Sequence, residues 1–311
     1  SCISYPFYAM LQSVCCSLRG VSETKASLMI SLIANSSLVL LNALFIKGFQ
    51  LGVWGLSVSL IAARVIGSAV GICYLVKFNQ TLHFKIRNIF RLDFSLQKRI
   101  LWIGIPFSME QMFFHGGKIL TQTFVVELGT MPMTVNAIAN SLFPILQIPA
   151  NALSLTIVTV VGQCMGAKNV ADSRKFMKSF VGLAAASFVV MPLILFPLLP
   201  VILPLFAPPP EIVGDIYGVL WIAALGQPLF WPLSFICPSA LRAAGDSKFV
   251  SISSLITMWT VRVVLGYVLG ITLHFGLNGV WAAMVLEWAV RSAVFTIRFR
   301  GTKWCRHRVI D

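Results

Sequence analysis

Long apolar runs alternate with short polar joints along almost the whole chain. The runs lie at approximately 24–46, 52–76, 98–126, 132–163, 177–203, 212–240, 248–271 and 277–298. Each reaches the length of about 20 residues that a helix needs to cross roughly 30 Å of hydrocarbon. In that medium a segment must satisfy its own backbone hydrogen bonds, which a helix does and an open strand does not. Residues 1–17 read as the remainder of another span, so the pattern predicts an all-α polytopic membrane protein with about nine transmembrane helices. Ser1-Cys2-Ile3 has neither an initiator Met nor the basic flank of a signal peptide. The chain is therefore expected to start inside a helix, as an N-terminally truncated fragment.

The polar joints repeat. Leu18-Arg19-Gly20-Val21-Ser22-Glu23-Thr24-Lys25 returns as Leu241-Arg242-Ala243-Ala244-Gly245-Asp246-Ser247-Lys248, an offset of 223 (241 minus 18). Pro6 and Pro228 precede the two copies, and Gly52, Gly55 and Ser68 answer to Gly276, Gly279 and Ser292 at an offset of 224 (276 minus 52). A repeat of this length in an apolar chain points to two equivalent helix bundles. Three helices precede the longest polar joint and six follow it, yet the repeat pairs the first three with the last three. The expected organisation is two pseudo-symmetric bundles in a parallel repeat. Residues 1–76 hold the last three helices of one lobe, 77–97 a cytoplasmic linker, 98–298 a complete six-helix lobe and 299–311 a basic cytoplasmic tail.

Composition agrees: 58% of residues are hydrophobic and 11% charged, against about a quarter charged in soluble domains. The net charge of +14 does not indicate a nucleic-acid partner, because the basic residues form no single patch with interleaved aromatics. They occupy alternate joints: Arg19 and Lys25; Lys77, Lys85, Arg87, Arg91, Lys98 and Arg99; Lys168, Arg174, Lys175 and Lys178; Arg242 and Lys248; and the tail from Arg298 to Arg308. The intervening joints at 47–51, 128–131, 206–211 and 273–278 hold a single Lys, Lys47. By the positive-inside rule the basic joints and the C-terminus are expected in the cytoplasm. The seven cysteines form no C-x-x-C pair and mostly fall in apolar runs, which argues against a metal site or disulfide framework. No nucleophile with a base, metal cluster or phosphate loop is visible, so the chain does not read as an enzyme.

Ionisable groups inside a bilayer are expensive and point to function or to a paired structural role. Glu110 lies near the middle of the 98–126 run, where it is expected to exchange a proton or sodium ion or to pair with a cationic substrate. Gln111, His115, Lys118 and Gln122 share one face of the same helix, and Asn136, Asn140, Gln147 and Asn151 stripe the next. Two polar stripes on adjacent helices describe a hydrated cavity wall, with interhelical hydrogen bonding as the plainer alternative. Pro106, Pro144 and Pro149 predict kinks there. Glu287 precedes Arg291 by one helical turn, the favourable order for a pair, and lies at the depth of Arg262 on the neighbouring helix. Glu287 is expected to bond Arg262, Arg291 or both. Arg64 has no acid at similar depth. The repeated joints with Arg19, Lys25, Arg242 and Lys248 read as helix caps and salt bridges, and the Gly162–Ala167 loop as a turn into an amphipathic interfacial segment, 168–178.

The chain resembles the multidrug and toxic compound extrusion (MATE) transporters. The resemblance rests on Leu18-Arg19-Gly20 with Lys25, Asn35 and Leu41-Asn42; on Ile103-Gly104-Ile105-Pro106 with Glu110-Gln111; and on Leu128-Gly129-Thr130, Asn136-Ala137-Ile138-Ala139-Asn140 and Val161-Gly162-Gln163. Gly279-Val280-Trp281, Glu287-Trp288 and Gly301-Thr302-Lys303-Trp304 continue it. It implies two six-helix lobes around a central cavity and a monomeric antiporter in the plasma membrane, driven by H+ or Na+ with no other cofactor. Its partners would be the bilayer and an amphipathic or cationic small molecule. In one branch of the family an aspartate serves as first-lobe ion ligand where this chain has Asn42, which does not titrate, leaving Glu110 as the coupling candidate. A lipid-linked oligosaccharide flippase of the same superfamily and a non-transporting membrane scaffold or remnant are the alternatives.

Overall fold

Every element among the described residues is helical. The computed structural model describes residues 2–77, 94–167, 169–301 and 304. The expected linker at 78–93, Lys168 and most of the expected tail (302–303 and 305–311) lie outside the described residues. The rods are α1 (Tyr5–Gly20), α2 (Thr24–Gly48), α3 (Gly52–Lys77), α4 (Phe94–Glu127), α5 (Thr130–Gly166), α6 (Val170–Ile202), α7 (Val213–Ala243), α8 (Ser247–Thr272) and α9 (Gly276–Arg300). Seven of them are long and apolar enough to cross a membrane; α1, at 16 residues, and the charge-bearing α4 are the other two.

Two boundaries differ from the sequence pattern. Residues 162–166 are not a loop but the last turn and more of α5, closed by Ala167 N–H donating to the Gln163 carbonyl at 2.9 Å. The basic segment that follows is not a separate interfacial helix but the opening of α6. Asn169 caps that helix by accepting the Asp172 N–H at 3.1 Å, and Asp172 complements the helix dipole. The cap supplies a helix start seven residues before hydropathy alone does.

The chain divides into two compact units, 1–97 and 98–311. The repeat is visible inside each as the same backbone construction. Between α1 and α2, the N–H groups of Val21, Ser22 and Glu23 donate to the carbonyls of Ser17, Arg19 and Leu18. Between α7 and α8, Ala244, Gly245 and Asp246 donate to Ala240, Arg242 and Leu241. Ser22 and Gly245 both take positive φ, 66° and 96°. At the second junction Gln50 and His274 are left-handed, as are Gly52 and Gly276, and Leu51 and Phe275 donate to Phe45 and Leu269 at 3.1 Å in each copy.

Each unit has its own core. Leu11, Val14, Leu18, Ile30 and Leu75 close the first. In the second, α5, α6, α7 and α9 pack around Leu146, Ile157, Phe188, Leu220, Trp231 and Phe295. Residues such as Leu193, Val201, Leu225 and Leu229 are left exposed on the outer faces. Such a band suits acyl chains, where Leu gains nothing further by burial in protein.

Candidate functional site

Within the second unit, α4, α5, α7, α8 and α9 line an open cavity of about 560 Å³. Six of the eight striped residues line it: Lys118 and Gln122 from α4, and Asn136, Asn140, Gln147 and Asn151 from α5. Gln111 and His115 do not. The cavity meets α4 only from Phe114 to Val125, so a stripe that continues N-terminally along the same face runs past its end. Asn136 serves both readings of the stripes. It is 6% exposed, donates to Gln122 Oε1 at 2.8 Å and accepts the Trp281 indole N–H at 3.0 Å, tying α4, α5 and α9 together at the wall.

Glu110 is not part of that wall. Its side chain is buried where α4 meets α7 and α8, and Arg242 Nη2 donates to both carboxylate oxygens at 2.6 and 2.8 Å. Ser251 donates a third hydrogen bond at 2.8 Å, and the Arg242 guanidinium lies 4.9 Å from the Phe107 ring centre. A carboxylate with this set of donors is tightly held. Arg242, read as a loop residue, is thus the partner of the candidate coupling acid.

Glu287, at 0% exposure, accepts from Arg291 at 3.1 Å and stands 3.8 Å from Arg262. Arg291 also donates to Ser254 at 3.3 Å and lies over the rings of Phe235 and Phe295. Arg262 lines the cavity, so this cluster stands directly behind it. Helix α8 is π-helical at Met258–Val263, and that wider turn carries Arg262.

The remaining candidates lie elsewhere. In the first unit Asn42 accepts from the Ser59 hydroxyl, Arg19 donates to the Cys15 carbonyl at 3.1 Å, and Lys25 is exposed. Arg64 donates to Ser4 at 2.6 Å and stacks over Tyr8 at 4.7 Å. In the second, Lys248 sits 4.1 Å over the Trp102 ring, and Asp246 takes two hydrogen bonds from Arg298 at 2.7 and 3.1 Å. The equivalent acid in the first copy, Glu23, accepts from Tyr74, the residue matching Arg298.

Sequence reasoning passed over the aromatic part of the wall: Phe143, Trp231, Phe235, Trp281 and Trp288. Phe143 packs edge-on to Trp281 and stacks with Trp288, at 5.4 and 6.0 Å. In an apolar chain such residues carry no contrast. Trp281 and Trp288, two turns apart on one face of α9, were the available signal.

A family model described as MatE matches residues 106–268, more than half of the chain. The uncharacterized transporter YisQ of Bacillus subtilis is 26% identical over 306 residues, covering 95% of this chain and 66% of YisQ. The probable multidrug resistance protein NorM of Thermotoga maritima is 25% identical over 298 residues, covering 94% and 63%. The chain therefore spans slightly under two thirds of the length of these relatives. Among solved structures, a MATE P26A mutant has a TM-score of 0.86 at 18% identity, covering 94% of this chain and 66% of that one. An outward-facing multidrug resistance MATE family transporter of the MOP superfamily gives 0.81 at 18%, covering 91% and 63%, so the fold is shared. By the match to its family model, this chain belongs to the MatE family.

Proposed function

We propose that the protein is a secondary transporter of the plasma membrane that exports small amphipathic compounds by alternating access, as an antiporter driven by H+ or Na+. The observation that carries this reading is the cavity, whose wall joins amide side chains to Trp and Phe rings. A wall of that kind suits ligands with an apolar body and a polar group. Relatives named as probable multidrug resistance proteins agree with it. The test is dye accumulation in cells lacking their main efflux pumps, with an acridine and a fluorescein derivative as probes. Expression of the protein should lower accumulation of at least one dye, and collapse of the ion gradient should restore it. Accumulation unchanged for both would sink the proposal.

In this reading Glu110 is the coupling group. Uptake of a proton or Na+ by its carboxylate competes with Arg242, and release of that guanidinium loosens α4 from α7. Glu110→Gln should abolish ion-coupled efflux per molecule of folded protein in the membrane, the folded amount being measured alongside because Arg242 loses its partner. Efflux unchanged in that variant would remove Glu110 from the coupling step.

A further inference from the structure

Building on the transporter reading, we propose that the cavity of the second unit binds organic anions with an aromatic or apolar body, the negative group seated between Lys118 and Arg262. Those two cations line the cavity, and no carboxylate does among the described residues. Lys118 Nζ and Arg262 Cζ stand 5.2 and 5.9 Å from the centre of the same ring, Phe114, so both charges act on one stretch of wall.

The acid nearest to that wall is already engaged. Glu287 is 0% exposed and shared between Arg291 at 3.1 Å and Arg262 at 3.8 Å. Three cations therefore face one buried carboxylate, and Lys118 makes no ion pair among the described residues. Lys118 is exposed, so its charge is open to a ligand in the cleft, and a cleft with charge of one sign concentrates ligands of the other. A cationic ligand would meet this excess with no acid to answer it. An anion supplies the missing partner, the amides of Asn140, Gln147 and Asn151 can donate to its oxygens, and the tryptophan faces receive its body. A volume of about 560 Å³ admits a molecule of drug size.

The anion is either a dissolved carboxylate or sulfonate, or a lipid headgroup phosphate. Binding to the protein in phosphatidylcholine nanodiscs, read by quenching of tryptophan fluorescence, tests the proposal with 1-naphthoate, 1-naphthylmethylammonium and neutral 1-naphthamide. Naphthoate should bind on the order of tenfold more tightly than the ammonium compound, and added salt should weaken it. Lys118→Gln should erase that margin and leave naphthamide binding in place, which also reports an intact cavity, and Lys118→Arg should restore it. Displacement of naphthoate by phosphatidylglycerol in the disc would identify a headgroup as the occupant, and persistence would identify a dissolved compound. Equal binding of the ammonium probe, or naphthoate binding unaffected by Lys118→Gln, overturns the proposal. The measurement needs no gradient. Loss of dye efflux with the margin intact would defeat the transport reading alone, and efflux without the margin would defeat the anion alone.

Discussion

The Glu110 carboxylate shows how much one buried charge can demand of its neighbours. It is 4% exposed, and three hydrogen bonds replace the water it has lost. Such a pair is weak evidence of net stability, since two ions must be desolvated to form it, yet removal of one partner strands the other. Arg242→Gln should therefore cost about 3 to 5 kcal/mol, the range for an uncompensated buried charge. Ser251→Ala, which deletes one hydrogen bond and keeps the counter-ion, should cost about 1 to 3 kcal/mol. Adding Glu110→Gln to Arg242→Gln should recover much of the larger loss. Thermal unfolding of the purified variants in one detergent ranks them, and an Arg242→Gln protein as stable as Ser251→Ala would refute the account. None of this pairing was legible in the sequence. The two residues are 132 positions apart, and no local spacing links them. The Glu287 cluster was legible, because one of its contacts lies within a single helical turn and the other follows from equal depth in adjacent spans.

At the scale of the element, helices read well from hydropathy because hydrocarbon allows little else, and most ends fall within a few residues of the apolar runs. The π turns did not read, although the sequence holds their trace. The repeat offset changes from 223 at Lys25 and Lys248 to 224 at Gly52 and Gly276. Accordingly α2 has 25 residues and α8 has 26. Both copies end in a π segment, Ala43–Gly48 and Val268–Thr272, while only α8 has a second, Met258–Val263. A π turn is how a helix absorbs one inserted residue. The insertion thus falls in the turn that carries Arg262 to the cavity. The junction after each segment also brings a glycine close to a backbone carbonyl, more closely in the second copy than in the first. A Cβ at Gly279 would lie 2.6 Å from the Leu269 carbonyl oxygen, and one at Gly55 would lie 3.1 Å from that of Phe45. Backbone cannot swing aside as a side chain does. Gly279→Ala should cost about 1 to 3 kcal/mol by overpacking, and Gly55→Ala distinctly less. Apparent melting temperatures of the two variants check the order, and equal losses would mean that the contact at Gly279 is relieved by a small shift of α9.

Across the whole second unit, charge and cavity are segregated by depth. Successive rods joined by short turns reverse direction, so the ends near Ala167, Gly245 and Gly301 share one side and those near Gly129, Pro208 and His274 share the other. The first side holds Arg174, Lys175, Lys178, Arg242, Lys248, Arg298 and Arg300; the second holds Glu127, Glu211 and Asp215 and no Lys or Arg at 127–131, 206–211 or 273–278. Arg242, one residue from the basic end of α7, fastens Glu110 on that side. Lys118 and Arg262 lie within roughly three turns of the ends of α4 and α8 on that second side. An ionic tie thus stands near one face of the unit and a cavity toward the other, an asymmetry compatible with the alternating access proposed above. By the positive-inside rule basic joints favour the cytoplasm, and we propose on that ground that the tie lies inside and the nearer cavity mouth outside. Two exposed positions decide the matter in a background freed of native cysteines: Glu211→Cys on the acidic side and Lys175→Cys on the basic side. A membrane-impermeant maleimide should label Glu211→Cys in intact cells, and Lys175→Cys only after permeabilisation. Labelling in the opposite order would invert the unit, place the Glu110 tie at the outer face and require the coupling ion to reach it from outside while the cavity loads from the cytoplasm.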